Sequence, residues 1–159
     1  MGPHERRFTN RLLSLWQDAR HGKPLPRLAD VEAGADRALQ DRSFVIDVSP
    51  GPSGYRFTRF GAALRQVAGV DFSGYSIDAL PENIAHDALD ICHTAIASSK
   101  PVLREKEFAR IFGHPVCYRM IVLPVSKQRK RVGALIGTVG YRVRREDELR
   151  EAGGLETTH

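Results

Sequence analysis

Cysteine is scarce in this sequence. Cys92 and Cys117 are the only two, and they form no CxxC pair. That excludes a disulfide framework and a cysteine-based zinc site. Long apolar runs are missing as well. No stretch approaches the ~20 residues of a membrane helix, and residues 1–7 are largely polar or charged, unlike a secretory leader. A soluble, cytoplasmic protein without a membrane span is therefore expected. The motifs of familiar chemistry are absent too: no GxGxxG, Walker lysine, GxSxG or HExxH occurs. An enzyme is not expected, and Asp47, Asp90, Glu105 and Glu107 read as surface charges. The formal net charge is +5, but no helix-turn-helix, RNA-binding motif or zinc finger accompanies it, which argues against nucleic acid. No internal repeat or low-complexity segment is present.

What is there suits one core. The chain has 159 residues, 42% hydrophobic and 27% charged, the size and balance of a single domain. Phe8, Leu12, Leu15, Trp16 and Ala19 recur at helical spacing over residues 5–20, which predicts an amphipathic helix. His21-Gly22 ends it, and Pro24 and Pro26 prevent its resumption. Residues 22–34 read as an extended connector and 35–42 as a short helical turn. Phe44–Val48 is a strand signal, stopped by Ser-Pro-Gly-Pro-Ser-Gly. Tyr55–Phe60 is a second strand, making a hairpin with a long turn. Ala62–Ala68 reads as a short helix closed by Gly69. The strongest helical pattern runs from Pro81 to Ser99, with Ile84, Ala88, Leu89, Ile91, Cys92 and Ala95 on its apolar face. Three strands follow, at 101–111, 117–125 and 132–143.

Strands grouped at both ends, with helices between them, predict an α+β fold with a five-stranded antiparallel sheet. The strands at 117–125 and 132–143 are apolar on both faces, which makes them central and requires cover on the outer face. The N-terminal helix is the available cover, in its own chain or from a partner.

The order of elements resembles a PAS domain over roughly residues 42–144. Residues 1–41 then form a helix and connector, and residues 145–159 a polar tail, disordered at its end. More narrowly, the chain resembles a bacterial family of small stand-alone PAS proteins. The residues that carry the likeness are Leu15-Trp16, Ala19-Arg20 and Pro24-Leu-Pro26 before the domain. Tyr55-Arg56, Gly61, Gly69-Val-Asp71 and Ser73-Gly74 follow. Tyr118-Arg-Met-Ile-Val-Leu-Pro124 and Gly137-Thr-Val-Gly-Tyr141 complete the set. The resemblance implies a non-catalytic sensory module that acts through partners, and a ligand cavity between sheet and long helix.

The expected lining of that cavity is Phe57, Leu64, Leu89, Cys92, Ile121, Leu135 and Val139. Gly133 and Gly137 on a central strand need a reason. Either a helix backbone packs closely there, a cavity opens, or the core is simply filled. The alternative reading is a cofactor-loaded sensor, with haem ahead of flavin. His86 and His93 lie on the long helix, but at the edge of its polar face. No reactive-cysteine motif of the flavin photoreceptor kind precedes that helix. Asp71 reads as a cap in a turn rather than a ligand group. Cys92 reads as a buried structural thiol, and Cys117 as an exposed one at a strand start. No metal site is expected. The turn Lys127–Arg131, with four cations in five residues, is a solvated hairpin tip or a grip for an acidic partner or phospholipid surface. The stripe Phe8, Leu12, Leu15 and Trp16 predicts a homodimer with those residues near its interface, and a downstream signalling protein as the other partner.

Overall fold

A computed structural model describes residues 3–48, 54–128, 130–148, 150 and 151. The long turn expected at 49–53 and the tail end at 152–159 lie outside the described residues. Helix α1 (Pro3–Ala19) comes first. It is followed by α2 (Leu28–Ala33) and α3 (Arg37–Asp41). Strands β1 (Ser43–Val48) and β2 (Tyr55–Phe60) precede α4 (Ala62–Ala68). A single 3-10 turn at Ile77–Ala79 leads to α5 (Glu82–Ser98). The chain closes with β3 (Val102–Ile111), β4 (His114–Val125) and β5 (Ala134–Val143). The five strands form one antiparallel sheet in the order β2-β1-β5-β4-β3. The apolar strand β5 is thus central, as its two-faced hydrophobicity requires.

The expected connector is not wholly extended. Leu28–Ala33 turns helical and buries Val31, a six-residue segment too short for periodicity to reveal. Its neighbour α3 is better signposted, because the Asp36 carboxylate caps it by accepting from the Leu39 amide at 2.9 Å.

Strand alternation divides the sheet into two compartments. Val45, Ile121, Leu123, Val125, Ala134 and Ile136 face one side, where Phe8, Leu12 and Trp16 of α1 pack on them. Phe44, Ile46, Val122 and Leu135 face the other, where α4 and α5 supply Leu64, Ile91, Cys92 and Ala95. The cover for the outer face therefore comes from the chain itself. Phe8, Leu12 and Trp16 are 5%, 0% and 3% exposed, and Leu15 is half-buried against the same core. The stripe expected at a dimer interface is thus spent inside the monomer, and the argument for a second copy that rested on it lapses.

Polar contacts fix α1 at two points, Thr9 and Trp16. Arg119 on β4 donates through Nε to Thr9 Oγ1 at 2.9 Å and also pairs with Glu105. Trp16 Nε1 donates to the Pro124 carbonyl at 2.7 Å. The ladder between β3 and β4 begins with Val102 opposite Val122, so Pro124 lies beyond the end of β3. Its missing N–H costs no bond on that side, and its carbonyl is left for the indole. The chain after α1 is tied down in turn, with Ser126 N donating to Pro26 O and Leu28 N to Ser126 O, both at 2.9 Å.

Gly137 has neither of its two expected special neighbours. A methyl group there would lie 2.4 Å from Cζ of Phe44, so an aromatic ring, not a helix backbone or a void, fills the space. Gly133 sits just before β5, against the Lys127 side chain.

Candidate functional site

The compartment between the sheet and α5 is incompletely filled. A cavity of about 160 Å³ remains there. β1 contributes Phe44 and Ile46, and β2 contributes Phe57 and Phe60. α4 adds Leu64 and Val67, while α5 adds Ile84, Asp87, Ala88, Ile91 and Cys92. Val116, Tyr118, Met120 and Val122 of β4 form the floor, with Val139 and Tyr141 of β5 beside them. These strand positions follow from period two, since alternate residues of each central strand point into one compartment.

Four of the seven residues expected to line a cavity lie on its wall: Phe57, Leu64, Cys92 and Val139. Three do not. Ile121 faces α1 in the opposite compartment, because it stands one residue out of step with Met120 and Val122. Leu135 is fully buried on the cavity side of the sheet but belongs to the filled part of that core. Leu89 is a half-buried residue at the flank of α5.

The hairpin between β3 and β4 supplies a wall residue that pattern reading missed. Phe112 and Gly113 both have positive φ, 50° and 80°, the backbone pattern of the mirror-image turns that suit hairpins. Asparagine is the usual residue at the first of these positions, and phenylalanine is strained there. The strained residue places its ring in the cavity wall and 6.1 Å from the Phe72 ring.

The wall has one charged member, Asp87. Its Oδ1 accepts from Arg104 Nη1 at 2.6 Å. Burial, and after it the Asp87 charge, push the Tyr118 phenol up to about 12 against the opposing Arg104 charge. Cys92, buried on the apolar wall, is likewise pushed up to about 12 by desolvation. Both groups are neutral in the folded state where the unfolded chain begins to ionise. Stability is therefore whole below pH 9, the Cys92 reference value, and falls as pH rises from 9 towards 12. A denaturation series across that window should show the fall. Cys92→Ala should flatten its lower part, and an unchanged profile would contradict the burial argument. Cys117, expected to be exposed, is fully buried, because β4 begins three residues earlier than the sequence pattern suggested.

Haem and flavin can be tested against this geometry. Pockets for drug-sized ligands run from about 300 Å³ upward, and haem and flavin are larger than the 160 Å³ here admits. Among the described residues no histidine lines the cavity; His86 and His93 are exposed on α5, His93 with its ring 5.5 Å from that of Tyr55. The one lining thiol is held protonated, unlike the thiolate that binds haem iron. Neither group fits. Among the described residues no cluster of three or more His, Cys, Asp or Glu could hold a metal ion, and no helix is long and apolar enough to cross a membrane.

Elsewhere the candidates are structural. Asp71 Oδ1 accepts from the Ser73 amide at 2.9 Å, closing a turn. At the basic hairpin, Lys127 Nζ pairs with Asp47 Oδ1 at 2.7 Å, while Arg129 lies outside the described residues.

A five-stranded antiparallel sheet, with helices on both faces and an apolar cavity beneath α5, defines an antiparallel α+β class. The sequence agrees. Residues 5–140 match the family model described as PAS domain, and the chain belongs to that family. The match includes α1. No curated protein matches the sequence. Among solved structures, the PAS domain of BvgS from Bordetella pertussis is similar at 14% identity and a TM-score of 0.48, covering 94% of this chain and 99% of that one. The PAS domain of the histidine kinase ThkA is similar at 13% identity and 0.48, covering 62% and 96%. A LOV protein of Rhodobacter sphaeroides is similar at 14% and 0.48, covering 73% and 72%. Family membership supports a sensory signalling module.

Proposed function

We propose that this chain is a non-catalytic sensory module. It binds a small apolar molecule in the cavity between the sheet and α5, and passes the occupied or empty state to a signalling protein by direct contact. The apolar cavity beneath α5 is the observation that supports the reading. Its wall is almost wholly hydrocarbon, its charged member is already paired, and nothing in it resembles a nucleophile beside a base. With α1 committed to its own sheet, the partner must meet other exposed surface.

Native mass spectrometry of freshly purified full chain tests the reading. The expected spectrum shows the protein carrying a substoichiometric small organic molecule that is lost on unfolding, and the sample is colourless. Visible absorption by the folded protein, or a bound mass in the range of haem or flavin, would overturn it.

A further inference from the structure

Two basic stretches, joined between residues 100 apart in the chain, meet at one end of the sheet. Residues 19–29 carry Arg20, Lys23 and Arg27 and contain no Asp or Glu. Residues 126–133, the turn between β4 and β5, carry Lys127, Lys130 and Arg131 and contain none either. The backbone holds the two together. Arg27 bridges Ser126 as a parallel neighbour, and Ser126 Oγ donates to the Pro26 carbonyl at 3.3 Å. Arg20 is folded onto the same corner. Its Nε donates to Lys23 O at 2.8 Å, and its guanidinium lies 5.1 Å from the centre of the Trp16 ring.

These charges are mostly unmatched. Lys127 pairs with Asp47. Among the described residues no carboxylate pairs with the other five, Arg20, Lys23, Arg27, Lys130 and Arg131. All of these but Arg20 are exposed. The acids that bracket the first stretch, Asp18 and Asp30, pair with none of them. We propose that this end of the molecule is a peripheral docking surface for an anionic phospholipid bilayer, held by the headgroup phosphates. The inference rests on no property of the cavity.

The make-up of the patch selects the partner. Protein interfaces gather aromatic residues at their centre and are poor in lysine. Here lysines stand among arginines, and none of the large exposed apolar side chains lies in either stretch. A headgroup layer asks only for positive charge at contact range. No apolar wedge is present to enter the acyl layer, and no described helix could cross it. The association is therefore electrostatic, and salt reverses it.

Co-sedimentation of the full chain with vesicles tests the proposal. The chain should pellet with phosphatidylcholine vesicles in which about a third of the lipid is phosphatidylglycerol, and stay in solution with phosphatidylcholine alone. Raising salt from about 0.05 M to about 0.5 M should release it. Each cation removed should weaken partitioning about fivefold. Lys23→Ala with Arg27→Ala, and Lys130→Ala with Arg131→Ala, should therefore each cost roughly 25-fold. All four are exposed side chains, so the melting temperature should stay where it was. Arg6→Ala with Arg7→Ala removes the same charge about 20 Å along α1 from Arg20, beyond a Debye length, and should cost less than about twofold. Equal losses from all three pairs would reduce the effect to net charge and overturn the patch. A loss confined to the 130–131 pair would overturn the composite surface. The lipid assignment would fall if the chain ignored the anionic vesicles, or if it bound poly-glutamate or duplex DNA more tightly at the same salt. Each of these results leaves the cavity reading untouched.

Discussion

Gly61→Ala is expected to destabilise the protein by about 3 kcal/mol, the upper end for overpacking a filled site. The reason is steric. Gly61 has an ordinary φ of −59°, so its backbone geometry is open to any residue. A methyl group there would sit 2.2 Å from the Asp41 carbonyl oxygen and 2.7 Å from that of Gln40. Both obstacles are backbone at the end of α3, and neither can swing aside as a side chain can. Gly61 N also donates to Ser43 O at 2.9 Å, pinning β2 to the start of β1. Relief would require α3 to move off that corner. For a domain of this size the loss corresponds to a melting-temperature drop of roughly 6–12 °C, readable by circular dichroism. Gly69→Ala is the control. Gly69 has φ of 76° with nothing within 4 Å of the added methyl, so it should cost only about 1 kcal/mol, through backbone strain. Equal losses at the two glycines would refute the steric account.

Leu12→Asp is the second large effect. Leu12 is fully buried between α1 and the sheet, where a carboxylate would be stripped of its hydration. Lost apolar burial and the desolvation of a charge together should cost about 4 kcal/mol or more. The damage should be local before it is global, because α1 is fastened by separable contacts at Thr9 and Trp16. Trp16 is the chain's single tryptophan, so its emission reports docking directly. Its emission should shift to the red in the variant at temperatures where the wild type keeps a buried signal. The uncovered face of β4 and β5 should then drive self-association, visible in light scattering. Emission that stays blue in a folded variant would show that α1 tolerates the charge, and with it that the packing described here is wrong.

The alternation of apolar residues made the sheet readable in the sequence, and proline and glycine marked most of the element ends. The face assignment was harder. Met120, Ile121 and Val122 are all apolar, so period two is silent about which of them meets α5, and Ile121 belongs to α1 instead. The stripe Phe8, Leu12, Leu15, Trp16 announces that a surface must be covered but not whose surface it covers. Only the meeting of Trp16 with the Pro124 carbonyl decides that, a contact 108 residues apart in the chain. Phe112 escaped notice because nothing local marks a phenylalanine in a turn as a wall of a cavity. Asp87 was legible only as a polar residue on α5. Its partner Arg104 comes from β3, and no helical wheel contains both.

The sheet that separates the two compartments is a single backbone thick. Met120 and Val122 border the cavity, while Ile121 and Leu123, their chain neighbours, rest on α1. A guest that shifts the first pair must rotate peptide planes shared with the second. The partition between the cavity and the outer helix is therefore also a covalent link between them, with no side-chain relay in between.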